Sequence, residues 1–398
     1  MAINPNKLAE FIGKNNRLSR AALRTQDGMF VADAVDTDAT EAKHFVGRAG
    51  FTKVVDGTGM HSLWASRDGR AFFMSGHELH AFDAKAGTAE SLSWYAYSSN
   101  AVCYADLPDG SVALSDGLTV ARIGADGVVR SGMLAAPSPE PTVVTSPGDG
   151  QYLYCFAYAD SDGVLGMCST PRTALSADLA FDVPQPPAGL TLQIYASYAG
   201  GEVMYLAAET TDAALINLTE SRIGGECPTL HMQPVPGGSI LGVANGRLFS
   251  VVGNLVFFSN PFHYGAMEPL NFIALPDKIT VFAPYEDGFF VVADKTYWLQ
   301  GRDPFQAELK VVSDDTAVAR SQSFLTDARP VWLASNGIVV GDDGGTVKEL
   351  TEEVVQAHPV LPTDVGATVA VERPYARQII SNHQRVGFAR AGFTMTAE

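Results

Sequence analysis

The sequence predicts an all-β protein assembled from recurrent hairpins. Three observations carry this: a composition poor in charge and rich in glycine and proline, little helical periodicity, and one hairpin pattern that returns five times. Hydrophobic residues make up 46% of the 398 residues and charged ones 18%, with 38 Gly and 22 Pro. Such a mixture favours many short strands joined by tight turns over helical bundles or disorder. The chain is too long for one ordinary core and suits two modules, or one repetitive β domain carrying an insertion. Short helices are expected only at residues 8–12 and 351–356; elsewhere apolar residues alternate or run in short bursts.

The recurring unit is a glycine, three or four apolar residues, a short polar turn and a second apolar run. It opens at Gly69 and turns at Ser75-Gly76, then opens at Gly110 and turns at Ser115-Asp116-Gly117. Further copies open at Gly246, Gly288 and Gly337, turning at Gly253-Asn254, at Asp294-Lys295 and through residues 341–345. At Gly253-Asn254 the pair is expected to supply the positive φ angles of a tight hairpin turn. The copies at Gly69 and Gly337 each follow a Trp and a Ser: Trp64 and Ser66, Trp332 and Ser335. Opening glycines lie 41 residues apart (69 to 110), 42 (246 to 288) and 49 (288 to 337), the spacing of four-stranded propeller blades. A blade cannot cover both faces of its own sheet, so blades stack around an axis, and closure removes open sheet edges. Hairpins also occur in sandwiches and open meanders; the regular spacing favours a β-propeller-like ring of hairpin blades.

Between Gly110 and Gly246 the spacing jumps to 136 residues, room for a separate module of about 90 residues. It begins after Pro137-Ser-Pro139-Glu-Pro141. One hairpin is expected from Tyr152-Leu-Tyr-Cys-Phe-Ala-Tyr158 through Asp160-Ser-Asp-Gly163 to a return strand at Val164–Ser169, and another from residues 190–197 through Gly200-Gly201 to residues 203–208. Seven or so short strands of this size suit an immunoglobulin/fibronectin III-like β-sandwich inserted in the ring. The expected organisation is an N-terminal arm leading into the ring (1–45), a first set of blades (46–138), the inserted sandwich (139–228) and a second set of blades (229–398). Between Glu140 and Pro228 eleven acids face two arginines, a local net charge of −9 within a chain of net charge −17.

That overall charge argues against a general nucleic-acid binder, which needs basic surface to displace phosphate counterions. No stretch approaches the roughly 20 apolar residues needed to span a bilayer. The polar start, Met1 to Asn16, has no apolar segment before a cleavage site, so neither membrane insertion nor a signal peptide is expected. Cys103, Cys155, Cys168 and Cys227 form no CxxC pair and read as buried free thiols of a reducing cytoplasm. Of eight histidines only His77 and His80 are suggestively spaced, and on a strand they point to opposite faces. Asp160-Ser-Asp162-Gly163 opens like a calcium loop, yet Pro171 stands where the bidentate Glu belongs, so turn chemistry is the better reading. Gly57-Thr-Gly59 lacks the third glycine and the helix of a phosphate cradle. No nucleophile elbow or Walker loop is present, and no catalytic, cofactor-binding or metal-binding residue is expected. Basic residues gather at the ends, as Lys14, Arg17, Arg20 and Arg24 and as Arg373, Arg377, Arg385 and Arg390, suited to salt bridges with neighbouring acidic subunits or to solvated surface.

Two groups of motifs resemble the hub or nozzle proteins of short-tailed bacteriophages. The first is Asn15-Asn16-Arg17-Leu18, Ala32-Asp33-Ala34-Val35-Asp36-Thr37-Asp38, Arg48-Ala-Gly50-Phe51-Thr52-Lys53-Val54 and His61-Ser-Leu-Trp64. The second is Gly246-Arg-Leu-Phe, Val256-Phe-Phe-Ser259-Asn-Pro261, Ile279-Thr-Val-Phe-Ala-Pro284, Gly288-Phe-Phe-Val, Thr296-Tyr-Trp-Leu and Gly301-Arg-Asp-Pro304. The order of these motifs, over about half of the chain, is their specific part.

The resemblance implies a non-enzymatic structural virion protein, made in the bacterial host cytoplasm. It would assemble as a ring-shaped homo-oligomer, hexameric by that resemblance, at the distal end of the tail tube. Tail adaptor and tail-fibre proteins would be its partners; phage DNA would be retained and conducted without sequence-specific binding, and no membrane is involved. An acidic lumen would repel phosphates. The residues 2–24 arm is expected to order on a neighbouring subunit. The rival reading is a tail-fibre attachment or host-receptor-binding protein, with Tyr195, Tyr198 and Tyr205 of the acidic sandwich as contacts. Strand alternation suits those tyrosines better to the core or half-core than to a contact surface. A glycan-cleaving propeller is the third possibility, since carboxylate separation is a three-dimensional quantity.

Overall fold

The computed structural model describes residues 55–350, apart from 84, 98–100, 219–220 and 336, together with residues 19 and 22–24 and several terminal strands. Those strands are Phe11–Lys14, Met29–Val31, Thr37–Ala39, Phe45–Gly47, Val365–Arg373, Ala376–Gln384 and Ala391–Ala397. Most of the first group of tail-like motifs, and residues 351–356, lie outside the described residues.

Four-stranded antiparallel meanders form the framework. The first holds Met60–Ala65, Ala71–Ser75, Glu78–Asp83 and Thr88–Tyr95; the second holds Cys103–Asp106, Val112–Ser115, Val120–Ile123 and Val129–Ser131. After the inserted module come Ile240–Ala244, Arg247–Val252, Leu255–Phe258 and Phe272–Ala274, then Val281–Tyr285, Gly288–Val292, Thr296–Gln300 and Glu308–Ser313. The fifth comprises Ser323–Phe324, Pro330–Leu333, Ile338–Asp342 and Thr346–Glu349. Four of the five recurrent hairpins supply the middle pair of a sheet, and the fifth, Ile338–Asp342 with Thr346–Glu349, supplies the third strand and the edge strand of its own.

Consecutive sheets share cores, which is why the middle strands are apolar without alternation. On Gly288–Val292, Phe289 and Val291 pack with Phe249, Val251 and Phe258 of the third sheet. Phe290 and Val292, pointing the other way, pack with Trp332 and Val339 of the fifth. A strand covered on both faces must be apolar at every position, and each large side chain so buried contributes about 2–3 kcal/mol of transfer free energy. The same arrangement joins the first sheet to the second through Phe72, Met74, Tyr104 and Leu114. Ala105, Ala113, Leu241 and Leu248 join the second to the third. Ile240–Ala244 lies against both Cys103–Asp106 and Val281–Tyr285, and Val281–Tyr285 against Pro330–Leu333, so sheets stack along their first or second strands. Outer strands are exposed, as in Glu308–Ser313. Arg320, before the fifth sheet, donates through Nη1 to the Ala101 carbonyl before the second at 3.1 Å, so the arc of sheets turns back on itself. Val365–Arg373 continues it beyond the fifth sheet. This is the all-β, propeller-like organisation that the sequence predicts.

One turn recurs at residues 66–70, 107–111, 124–128, 160–164 and 325–329. In each, the first residue's N–H donates to the fifth residue's carbonyl and the fourth residue's N–H to the first residue's carbonyl. The fourth residue is left-handed: Gly69 (φ 90°), Gly110 (82°), Gly127 (78°), Gly163 (76°) and Ala328 (66°). Asp68, Asp109, Asp126 and Asp327 accept the N–H two residues on, and Asp160 serves in the remaining copy. Many acids are thus acceptors for turn amides.

The inserted module is a seven-stranded sandwich. One sheet orders Thr142–Thr145, Leu179–Val183 and Ala214–Asn217; the other orders Arg172–Leu175, Gln151–Ala159, Thr191–Ala196 and Tyr205–Thr210. Tyr154, Phe156, Tyr158, Phe181, Leu192 and Ile194 fill the space between. The strand order is its own: the four-stranded sheet holds the second, third, fifth and sixth strands, where an immunoglobulin constant domain groups the first, second, fourth and fifth.

Three local expectations are corrected. Phe11 and Ile12, in the first expected helix, lie on strand Phe11–Lys14, which pairs in parallel with Met29–Val31; a paired partner overrides a weak helical period. Val164–Ser169 is not the return strand of the first sandwich hairpin: it makes one isolated bridge, Leu165 with Ala159, and Arg172–Leu175 takes the place beside Gln151–Ala159. Among the described residues only two short 3-10 turns are helical, Pro304–Gln306 and Asp343–Gly345. At Gly253-Asn254 only Gly253 has a positive φ (63°), because one left-handed residue suffices to close Val252 onto Leu255.

Candidate functional site

The four-stranded sheet of the sandwich is covered on both faces. Along Gln151–Ala159 the aromatic residues Tyr152, Tyr154, Phe156 and Tyr158 face the sandwich core. The opposite face carries Leu153, Cys155 and Ala157. Residues 165–169 fold back over that face: Gly166 donates to the Tyr158 carbonyl and Ser169 to the Phe156 carbonyl, while Phe156 N–H donates to Ser169 Oγ at 3.0 Å. Those bonds fix Cys168 beside Cys155. The chain returns over the same surface on its way to the third meander, and Cys227 N–H donates to the Met204 carbonyl at 3.1 Å.

The result is a cluster of three free thiols, Cys155, Cys168 and Cys227, whose Sγ atoms all lie within 4.8 Å of one another. Cys155 and Cys227 are buried, and Cys168 is half-buried. Tyr195 and Met204 wall the cluster. Thiol hydrogen bonds from Cys155 and Cys168 hold Cys227 well below the ordinary thiol range, with the Thr229 N–H and hydroxyl assisting. The same bonds, with Cys168 foremost, and burial push Cys155 up. For Cys168 the bond with Cys155 lowers the value, but the bond to Cys227 and burial outweigh it. Of the three sulfurs, Cys227 is the one that the surrounding hydrogen bonds favour as a thiolate. Among the described residues it is the one group of three or more cysteine, histidine or acidic side chains close enough to share an ion. Sequence reasoning missed it because the three positions show no ligand spacing; the one local signal was Cys155 alternating with core aromatics. Cys103 is elsewhere, its Sγ facing the Ser115 and Gly238 carbonyls, and burial pushes its thiol up to about 12.

The other singled-out residues serve structure. Asp160 and Asp162 accept from Arg122 Nη2 at 3.0 and 3.1 Å, so the loop that resembled a calcium site is neutralised by an arginine of the second meander. His77 sits in the turn after Ser75, with Nδ1 3.2 Å from the Ala96 carbonyl. His80 stacks on Phe73 at 5.2 Å and lines a cleft of about 340 Å³ with Asp56, Ser75 and Ala89. Gly57-Thr-Gly59 forms a bend leading into Met60–Ala65. Tyr195 is buried, its hydroxyl donating to Gln193 Oε1 at 2.6 Å. Tyr198 is 49% exposed, pairs with the Tyr205 ring at 5.9 Å and lies under the Arg222 guanidinium at 4.8 Å. Of the basic terminal residues only Arg24 has a described side chain, and it is exposed. Among the described residues no helix is long and apolar enough to cross a membrane.

No family model and no curated protein matches the chain. Solved structures similar to it include the extracellular domain of a putative hybrid two-component system of B. thetaiotaomicron, at 10% identity and TM-score 0.32, covering 86% of this chain and 38% of that one. The chain therefore spans well under two thirds of that structure. A gluconolactonase of Xanthomonas campestris is similar at 11% identity and TM-score 0.35, covering 85% of this chain and 86% of the other. PorZ, a surface component of the type-IX secretion system of Porphyromonas gingivalis, is similar at 11% identity and TM-score 0.25, covering 86% of this chain and 53% of its own.

Proposed function

We propose that this protein is a non-catalytic structural subunit of a bacteriophage tail, a hub or nozzle component at the distal end of the tail tube. The observation that carries the reading is the second group of tail-like motifs. These fall in one continuous block on the third and fourth meanders, at the strands and turns that set sheet stacking. The rigid mounting of the sandwich supports a scaffold role. Arg122 joins it to the second meander, and Met167 N–H donates to the Leu134 carbonyl. In this reading the chains form a ring, hexameric by resemblance, that contacts adaptor and fibre proteins in the virion and conducts DNA past an acidic surface that does not hold phosphate.

A second reading, fibre attachment or receptor binding by the sandwich, is favoured by the exposed Tyr198 with Tyr205 and Arg222 beside it. Stacked aromatic and arginine side chains are common anchors of interfaces. Mass measurement of the purified protein, with negative-stain images of it and of particles labelled by a specific antibody, tests both. A ring, with label at the tail end, is the expected result; a stable monomer absent from particles overturns the tail reading. Loss of labelled fibres from Tyr198→Ala particles with an intact ring would favour the second.

A further inference from the structure

We infer that Cys155, Cys168 and Cys227 bind one thiophilic divalent cation of the zinc class, which clips two covering segments onto the outer face of the sandwich sheet. The donor set is entirely sulfur, with the Met204 thioether in the same apolar cluster. Soft donors of this kind exclude magnesium and calcium and select zinc-like or cuprous ions. Zinc bonded to sulfur at about 2.3 Å sets neighbouring thiolates roughly 3.8 Å apart. From separations within 4.8 Å, each pair must close by about 1 Å at most.

Charge decides between the two ions. Three thiolates around a divalent cation leave one net negative charge, and around a cuprous ion two. In a pocket where two of the three cysteines are buried, the smaller residual charge carries the smaller desolvation cost. Binding displaces the thiol protons to solvent and involves no oxidation. Cys168 is the least enclosed of the three, and one solvent oxygen fills the fourth position.

The three ligands come from three chain segments: the strand Gln151–Ala159, the fold-back at residues 165–169 and the return at residues 221–232. A shared cation fixes all three at once, and the segment after Cys227 leads directly to the third meander. The site is structural and independent of the tail reading.

The test uses the full chain, purified with reductant and without chelator. Elemental analysis should find about one zinc per chain, and adding cobalt(II) to the chelator-stripped protein should give sulfur-to-cobalt charge-transfer absorption with the visible bands of a tetrahedral ion. Cys155→Ser, Cys168→Ser and Cys227→Ser should each lose the metal and the spectrum, and Cys103→Ser should keep both. Chelation of the wild-type protein should lower its melting temperature by several degrees. The wild-type titration needs no variant, so a serine variant that fails to fold leaves the test intact. A reduced wild-type protein that holds no stoichiometric zinc and shows no cobalt spectrum overturns the inference. So does uptake of copper(I) alone, loss of metal in Cys103→Ser alone, or a disulfide within the trio under reducing purification.

Discussion

Replacing Arg122 by methionine tests what holds the sandwich to the meanders. Arg122 is 7% exposed, and its Nη2 serves Asp160 at 3.0 Å and Asp162 at 3.1 Å. Removing one partner of a buried ion pair costs about 3–5 kcal/mol, because the remaining charge is stranded. Two features lower the figure here. The Asp162 side chain is 38% exposed and rehydrates, and Arg122 Nε has no partner of its own, so the expected loss is about 3 kcal/mol. Most of it belongs to Asp160, whose side chain is 5% exposed. Its Oδ1 must still accept from the Asp162 and Val164 N–H groups at 3.0 and 2.9 Å. Asparagine keeps that oxygen and removes the charge, so Asp160→Asn should recover about half of the loss in the Arg122→Met background. Urea unfolding of the full chain reads the cycle, and hydrogen exchange at residues 162–167 should show faster exchange in Arg122→Met alone. An Arg122→Met protein within about 0.5 kcal/mol of wild type, or an Asp160→Asn change that worsens it, would refute the reasoning.

Three further substitutions probe the meanders. The buried Asp116 accepts from the N–H groups of Tyr97, Leu118 and Thr119 at 2.8, 3.0 and 2.9 Å, so Asp116→Ala should cost about 3 kcal/mol by chemical denaturation. Burial pushes the Asp116 carboxyl up, but the bonds from Thr119, Leu118 and Tyr97 outweigh it and hold it below 3.8. Its stabilisation is therefore complete above the ordinary aspartate range and lost as pH falls through the lowered folded value. An Asp116→Ala protein with the wild-type acid limb in its melting curve would contradict this. Ala328→Gly should raise stability by about 0.5–1 kcal/mol, since Ala328 holds a φ of 66° that glycine fills in the other four copies of the turn; an unchanged or lower melting temperature argues the other way. Gly288→Ala should cost about 2–3 kcal/mol, because its Cβ would stand 2.4 Å from Trp298 Cζ2 and 2.5 Å from the Leu299 carbonyl; unaltered denaturant midpoints would show that the sheet yields.

What the sequence determined by itself is the all-β class, the five hairpins and the inserted sandwich. Strand alternation and turn chemistry are local: Gly288-Phe-Phe-Val-Val announces a strand covered on both faces, and Asp-Gly pairs announce the turns that close the hairpins. Local patterns do not report which distant segments meet. Tertiary structure alone decided that Cys155, Cys168 and Cys227 converge, since their ligand-like property is a distance between sulfurs on three segments. It alone gave Asp160 and Asp162 an arginine in place of a cation, and it put Phe11 on a strand because a partner at Met29 was there to pair with it. A residue's own neighbours in sequence fix its backbone preference, whereas its chemistry depends on the groups that folding brings to its side chain.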